Sequence, residues 1–171
     1  MSVSSLYSQS KQCGVPKPPL FSGFGVSTKL KGKPALPILR TAREHEYRTT
    51  IRSAAKRRPN FDGHYAIARY ACGTGCHGFF IIDLQSGVIF DTPFKDINVH
   101  YPPPNTFVNS EPNWWCFSDV IEFRLDSDLL IVEGCLDDRQ CGRTYYVMES
   151  TGLRQIDYYP DLLPDGKVAP F

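Results

Sequence analysis

The chain has 171 residues, 42% of them hydrophobic and 22% charged, with a formal net charge of +1. Those values describe one folded domain with a sizeable core. They exclude a broad field for nucleic acid or anionic membrane, and no apolar run approaches the roughly 20 residues of a membrane span.

Residues 1–38 form the first segment, rich in Ser, Gly, Lys and Pro, with Pro16, Pro18, Pro19, Pro34 and Pro37. No hydrophobic period is visible, so the segment reads as an extended arm, disordered unless Cys13 anchors it. Its start, MSVSSLYSQSKQCG, lacks the apolar core of a secretory leader.

Residues 39–171 read as a single β-rich domain. It opens with one helix from Thr41 to Arg58. Thr41 and Glu44 have capping-box spacing, which satisfies amide protons at the helix start. Tyr47, Ile51 and Ala54 or Ala55 recur at helical spacing as an apolar stripe. Lys56, Arg57 and Arg58 suit the negative end of the helix dipole, and Pro59 stops the helix.

Gly63 to Asp91 predicts a three-strand meander: Tyr65–Ala71, Phe79–Leu84 and Val88–Phe90. Gly73-Thr74-Gly75 joins the first two strands. A loop that short brings Cys72 and Cys76 within bonding reach, so the pair reads as a staple. Ser86-Gly87 makes the next turn.

Lys95 to Cys116 is a long loop with four prolines, Pro102, Pro103, Pro104 and Pro112. Such prolines favour polyproline II and resist strand pairing. Asn113, Trp114 and Trp115 make it a candidate binding loop or a lid over the core. In an extended segment the two tryptophans point opposite ways, so one can enter the core while the other faces out. Val120 to Leu125 then alternates as a strand with one wet face.

A second meander follows the turn Asp126-Ser127-Asp128. Its strands are Asp128–Gly134, Thr144–Glu149 and Leu153–Tyr158. Cys135 and Cys141 flank a loop carrying Asp137, Asp138 and Arg139, and Thr151-Gly152 makes the later turn. Cys141 and Gly152 follow Cys76 and Gly87 at one constant offset, the second loop being two residues longer than the first. The recurrence reads as a structural repeat. Pro160 to Phe171 reads as loop. The expected fold is mostly β: an antiparallel sandwich or small barrel-like sheets, built from two similar three-strand meanders with one N-terminal helix.

Six cysteines, an even count, point to an oxidising compartment. The missing leader conflicts with that, unless a leader was removed and Met1 added. With two local bridges, Cys13 and Cys116 remain, and they are placed to tie the arm to the body. Cys72, Cys76 and His77 also have the loose spacing of zinc ligands, with Cys135 and Cys141 as possible completions. A cysteine–histidine nucleophile is a further reading, as is an acid–base pair of Asp62 and His64. The plainer reading makes Asp62-Gly63 a turn and His64 a hydrogen-bonded structural residue. Asp137-Asp138, and Asp126 with Asp128, fall in turns, where Asp is favoured for local backbone bonding. Phosphate loops, dinucleotide fingerprints and serine elbows are absent.

Asn60-Phe61-x-Gly63-His64-Tyr65, with Cys72 to Cys76 and Ile82-Asp83-Leu84-x-Ser86-Gly87, resembles a family of small bacterial envelope proteins. The organisation is more loosely similar to periplasmic immunity proteins that neutralise peptidoglycan-degrading toxins. The resemblance implies an exported bacterial protein and supplies no catalytic residues. The expectation is therefore a non-enzymatic periplasmic or secreted inhibitor of a cell-wall hydrolase. It needs no cofactor or metal, has a protein partner, and binds neither nucleic acid nor membrane. Its expected binding residues are Thr74, Asn113, Trp114, Trp115, Asp137, Asp138 and Arg139. The alternative is a metal-binding or thiol-dependent envelope enzyme using Cys72, Cys76 and His77.

Overall fold

The computed structural model describes residues 18–26, 28–99, 107–108, 111–112 and 120–160, with backbone alone at 107–108 and 111–112. Cys13, Asn113, Trp114, Trp115 and Cys116 lie outside the described residues.

Ten strands are present among the described residues: β1 Tyr65–Gly73, β2 Cys76–Asp83, β3 Ile89–Phe90, β4 Ile97–Asn98, β5 Phe107–Val108, β6 Glu111–Pro112, β7 Ile121–Phe123, β8 Leu129–Leu136, β9 Gln140–Glu149 and β10 Gly152–Pro160. Eight of them form one antiparallel sheet in the order β1-β2-β4-β8-β9-β10, with β3 beside β2 and β7 beside β8. The fold is mostly β, and the two meanders β1–β3 and β8–β10 share connectivity. They belong to one sheet, folded around a common core and not closed into a barrel.

Side-chain alternation explains the folding. Ile67, Phe79 and Ile81 on one meander, and Leu130, Val132 and Tyr146 on the other, point to the same shared cluster. Their neighbours in sequence point outward, as strand geometry requires. Each outward face then needs its own cover. Ile51 and Ala55 of the helical segment cover Ala66, Ala68, Phe80 and Ile82 on the first meander. Phe21 and Phe24 of the arm, with Ile156 and Tyr159 of β10, cover Leu129, Ile131 and Tyr145 on the second.

The helical segment is two helices, not one: α1 Ala42–Glu46 and α2 Arg48–Ala55. The Thr41–Glu44 capping box is formed in both directions. Tyr47 breaks the run with φ −92° and ψ 17°. Its ring sits 4.0 Å from that of Tyr70 and 5.9 Å from that of Phe80. Packing of this ring accompanies the break and orients α2 across the sheet. The helix also ends at Ala55 and does not reach Arg58.

Among its described residues the arm departs from a wholly extended course in a single 3-10 turn at Phe21–Gly23, and its later part is fastened to the first meander. Leu30 N–H donates to Gly63 O at 3.0 Å, Ala35 to Leu84 O at 2.8 Å, and Ile38 to Gly87 O at 2.8 Å. Gly63 permits this strap to lie close. A Cβ there would stand 2.1 Å from the Thr28 carbonyl oxygen, and its φ of +70° is a conformation that favours glycine.

The long loop differs from expectation. Ile97 and Asn98, ahead of the proline run, enter the middle of the sheet as β4, and Pro112 pairs with Phe107 in a separate two-stranded ribbon. Two residues are too few to show a period, and a proline at a strand edge costs the ladder little.

Candidate functional site

The candidate site is one end of the sheet, where both stapled hairpins meet across β4. Cys76 pairs in register with Asn98, and Asn98 pairs on its other side with Cys135. His77 and Leu136 flank Ile97 in the same way. The two hairpin turns therefore lie side by side, with a single strand between them.

Both staples are present as disulfides. Cys72 and Cys76 have Cα atoms 5.1 Å apart, and Cys135 bonds to Cys141, its direct partner across the β8–β9 ladder. With these sulfurs bonded to each other, none of the four is a thiolate nucleophile or a zinc ligand. Among the described residues, no group of three or more His, Cys, Asp or Glu is placed to hold a metal ion. Two disulfides fit an oxidising compartment. No described helix is long and apolar enough to cross a membrane.

The second turn is built from its aspartates. Asp137 and Asp138 have φ of 51° and 55°. Arg139 N–H donates to Leu136 O at 2.9 Å. Two adjacent left-handed residues make the mirror-image turn that matches strand twist, and Asp tolerates that conformation. The Asp137 carboxylate folds back and accepts from Lys95 N–H at 2.8 Å and Asp96 N–H at 3.3 Å. Asp138 accepts from Asn98 Nδ2 at 2.8 Å. On the other side, Val99 N–H donates to Gly75 O at 2.7 Å. β4 is thus bonded to both turns.

Gly134 lets β4 approach. A Cβ there would lie 2.7 Å from Asn98 O and 2.9 Å from Ile97 Cγ2, at a φ of +132°. The outward surface of this end consists of Thr74, Asp138 and Arg139, all exposed, with Asp137 half-buried. Thr74 and the Asp137–Arg139 turn, distant in sequence, come together here. Asn98 and Gly134 complete the arrangement, and no sequence motif marks either.

At the opposite end lies a buried polar group. His64 Nδ1 is 3.1 Å from Thr28 Oγ1, and its Nε2 is 3.8 Å from Asp83 Oδ1. Asp62 occupies the expected turn and is 5% exposed. Burial, with the nearby Asp128 charge, pushes its carboxyl up to about 6, against a smaller opposing effect of His64. Burial also raises Asp128. Oδ1 of each has no hydrogen-bond partner among the described residues. Asp62 therefore faces a second carboxylate as well as His64, which differs from a simple Asp–His acid–base pair.

Compared with known proteins, the chain matches no family model, no curated protein and no solved structure.

Proposed function

We propose that the protein is a non-enzymatic binding protein of the bacterial periplasm or exterior, whose stapled end docks into a protein partner. The observation that carries this reading is the convergence of two disulfide-closed turns on the same two-residue strand. Prebonded turns lose little conformational entropy on docking, so more of the contact energy appears as affinity. Exposed Thr74 and Arg139 supply a small neutral knob and a cation on that rigid support. The resemblance to envelope and immunity proteins favours a secreted peptidoglycan hydrolase as partner, its cleft plugged by this end.

The test uses the full oxidised chain against a panel of secreted muramidases, amidases and endopeptidases from competing bacteria. Stoichiometric loss of hydrolysis, relieved by Arg139→Glu or Thr74→Trp, supports the reading. Unchanged hydrolysis by every enzyme, with no complex on size-exclusion chromatography, sinks it.

A further inference from the structure

The net charge of +1 excludes a broad field over the molecule, but it conceals a local one. Residues 28–59 hold 10 of the 19 basic residues and 2 of the 18 acidic ones, so this segment carries +8 and the rest of the chain −7. One of the two acids, Glu44, is buried and accepts from the Arg40 and Thr41 amides.

The fold gathers these charges on one face. Leu30 and Leu39 of the strap pack against the same cluster as Ile51 and Ala55 of α2, on the outward side of the first meander. The residues between these apolar anchors point to solvent. Exposed Lys29 and Lys31 flank Leu30. Leu36, Ile38 and Arg40 are exposed and alternate with half-buried Ala35, Pro37 and Leu39. Alternate side chains of an extended segment share a side, so Leu36, Ile38 and Arg40 stand together on the outer one. On α2, exposed Arg48 and Arg52 are four residues apart, and exposed Lys56 follows at the same spacing just past the helix end.

Helix chemistry alone does not explain this stripe. Like charges at that spacing repel and weaken a helix. Arg48 opens α2, at the end that the helix dipole makes positive, and the first turn holds no acid to offset it. Among the described residues, none of Lys29, Lys31, Arg40, Arg48, Arg52 and Lys56 enters an ion pair.

Bare aliphatic side chains stand beside these cations. Leu36 is 82% exposed and Ile38 45%. A soluble polyanion gives such side chains nothing apolar to enter. A bilayer gives both an anionic surface and acyl chains beneath it.

We infer that this face docks onto a bilayer rich in anionic phospholipid. The cations lie against headgroup phosphates, and Leu36 and Ile38 enter the interface between them. Attachment of this kind is peripheral and needs no spanning helix. The strap is fastened at Gly63, Leu84 and Gly87, whereas the Cys72–Cys76 turn closes the other end of the β1–β2 hairpin. The inserted residues are therefore remote from that turn.

The probe is unilamellar vesicles of phosphatidylglycerol and phosphatidylcholine in equal parts, sedimented with the intact oxidised chain. Pure phosphatidylcholine vesicles are the control. The chain is expected to bind the anionic vesicles at least about tenfold more tightly, with affinity falling as salt rises. Arg48→Gln with Arg52→Gln is expected to weaken binding about tenfold. Leu36→Ser with Ile38→Ser, which alters exposed side chains only, is expected to lose about as much. In bicelles of the same composition, nitroxide-labelled headgroups are expected to broaden the Leu36 and Ile38 methyl resonances and to leave that of Thr74 sharp. Equal binding to both vesicles overturns the anionic assignment. Undiminished binding by the Leu36/Ile38 variant assigns the face to a soluble polyanion and overturns the bilayer. Sharp Leu36 and Ile38 methyl resonances overturn the site, and that measurement needs no variant.

Discussion

Asn98 reaches from β4 to the Asp138 carboxylate, 2.8 Å from its Nδ2, and so ties the central strand to a stapled turn. Asn98→Ala is expected to cost about 1 kcal/mol, the usual net value of one such bond. The urea midpoint measures the loss, and the Lys95, Asp96 and Val99 amides should exchange faster while those of α2 do not. Unchanged exchange at these amides would show that the tie is not needed to seat β4.

Removing the second staple tests the rigidity directly. Cys135→Ala with Cys141→Ala frees the Asp137–Arg139 turn and restores loop entropy to the unfolded chain. A loop this short predicts a loss of about 2 kcal/mol. If the stapled end binds a partner, affinity should fall by more than the stability change explains, because the turn must then be ordered on docking. Calorimetric titration and denaturation of the same variant compare the two losses.

The Asp62 carboxyl makes stability depend on pH in a defined direction. Its folded value of about 6 stands above the ordinary 3.8, so between those values the folded chain holds the proton more tightly than the unfolded chain does. Its contribution is fully present below the unfolded value and is lost as pH rises through the folded one. The loss is on the order of 3 kcal/mol, the free-energy equivalent of a pKa shift of that size. Asp62→Asn, which resembles the protonated acid, should flatten the slope between about pH 4 and 6 and raise stability at pH 7.5. The same slope in the variant would assign the pH dependence elsewhere.

Gly63→Ala should loosen the arm. Its Cβ would meet the Thr28 carbonyl at 2.1 Å, and a backbone oxygen cannot rotate away as a side chain can. The expected cost is on the order of 2–4 kcal/mol. Limited proteolysis should then cut near Thr28 and Lys29, while the parent chain resists.

Much of this architecture was legible in the residues. Each Cys pair with its short loop marked a hairpin, and the recurrence past Cys76 and Cys141 marked the related meanders. Thr41 and Glu44 marked the helix start correctly. Other parts left no local trace. Ile97-Asn98 is too short for a period, and its place comes from Gly134, far away in sequence. The break at Tyr47 follows tertiary ring packing, which a helical stripe does not encode. The strap at 28–38 is fixed by backbone bonds to Gly63, Leu84 and Gly87, so it carries no hydrophobic pattern. Asp62 read as a turn residue, and it is one. Its proximity to Asp128 depends on the two meanders meeting, which composition does not reveal.

The shared interior has a consequence for any attempt to divide the chain. Ile67, Phe79 and Ile81 share one buried cluster with Leu130, Val132 and Tyr146 of the opposite meander, and the Phe94 ring packs against both Phe79 and Tyr146. Half of this protein is therefore not a smaller copy of the whole. Produced as two polypeptides, each piece would present a bare oily wall, and the pieces would find one another in solution or precipitate separately.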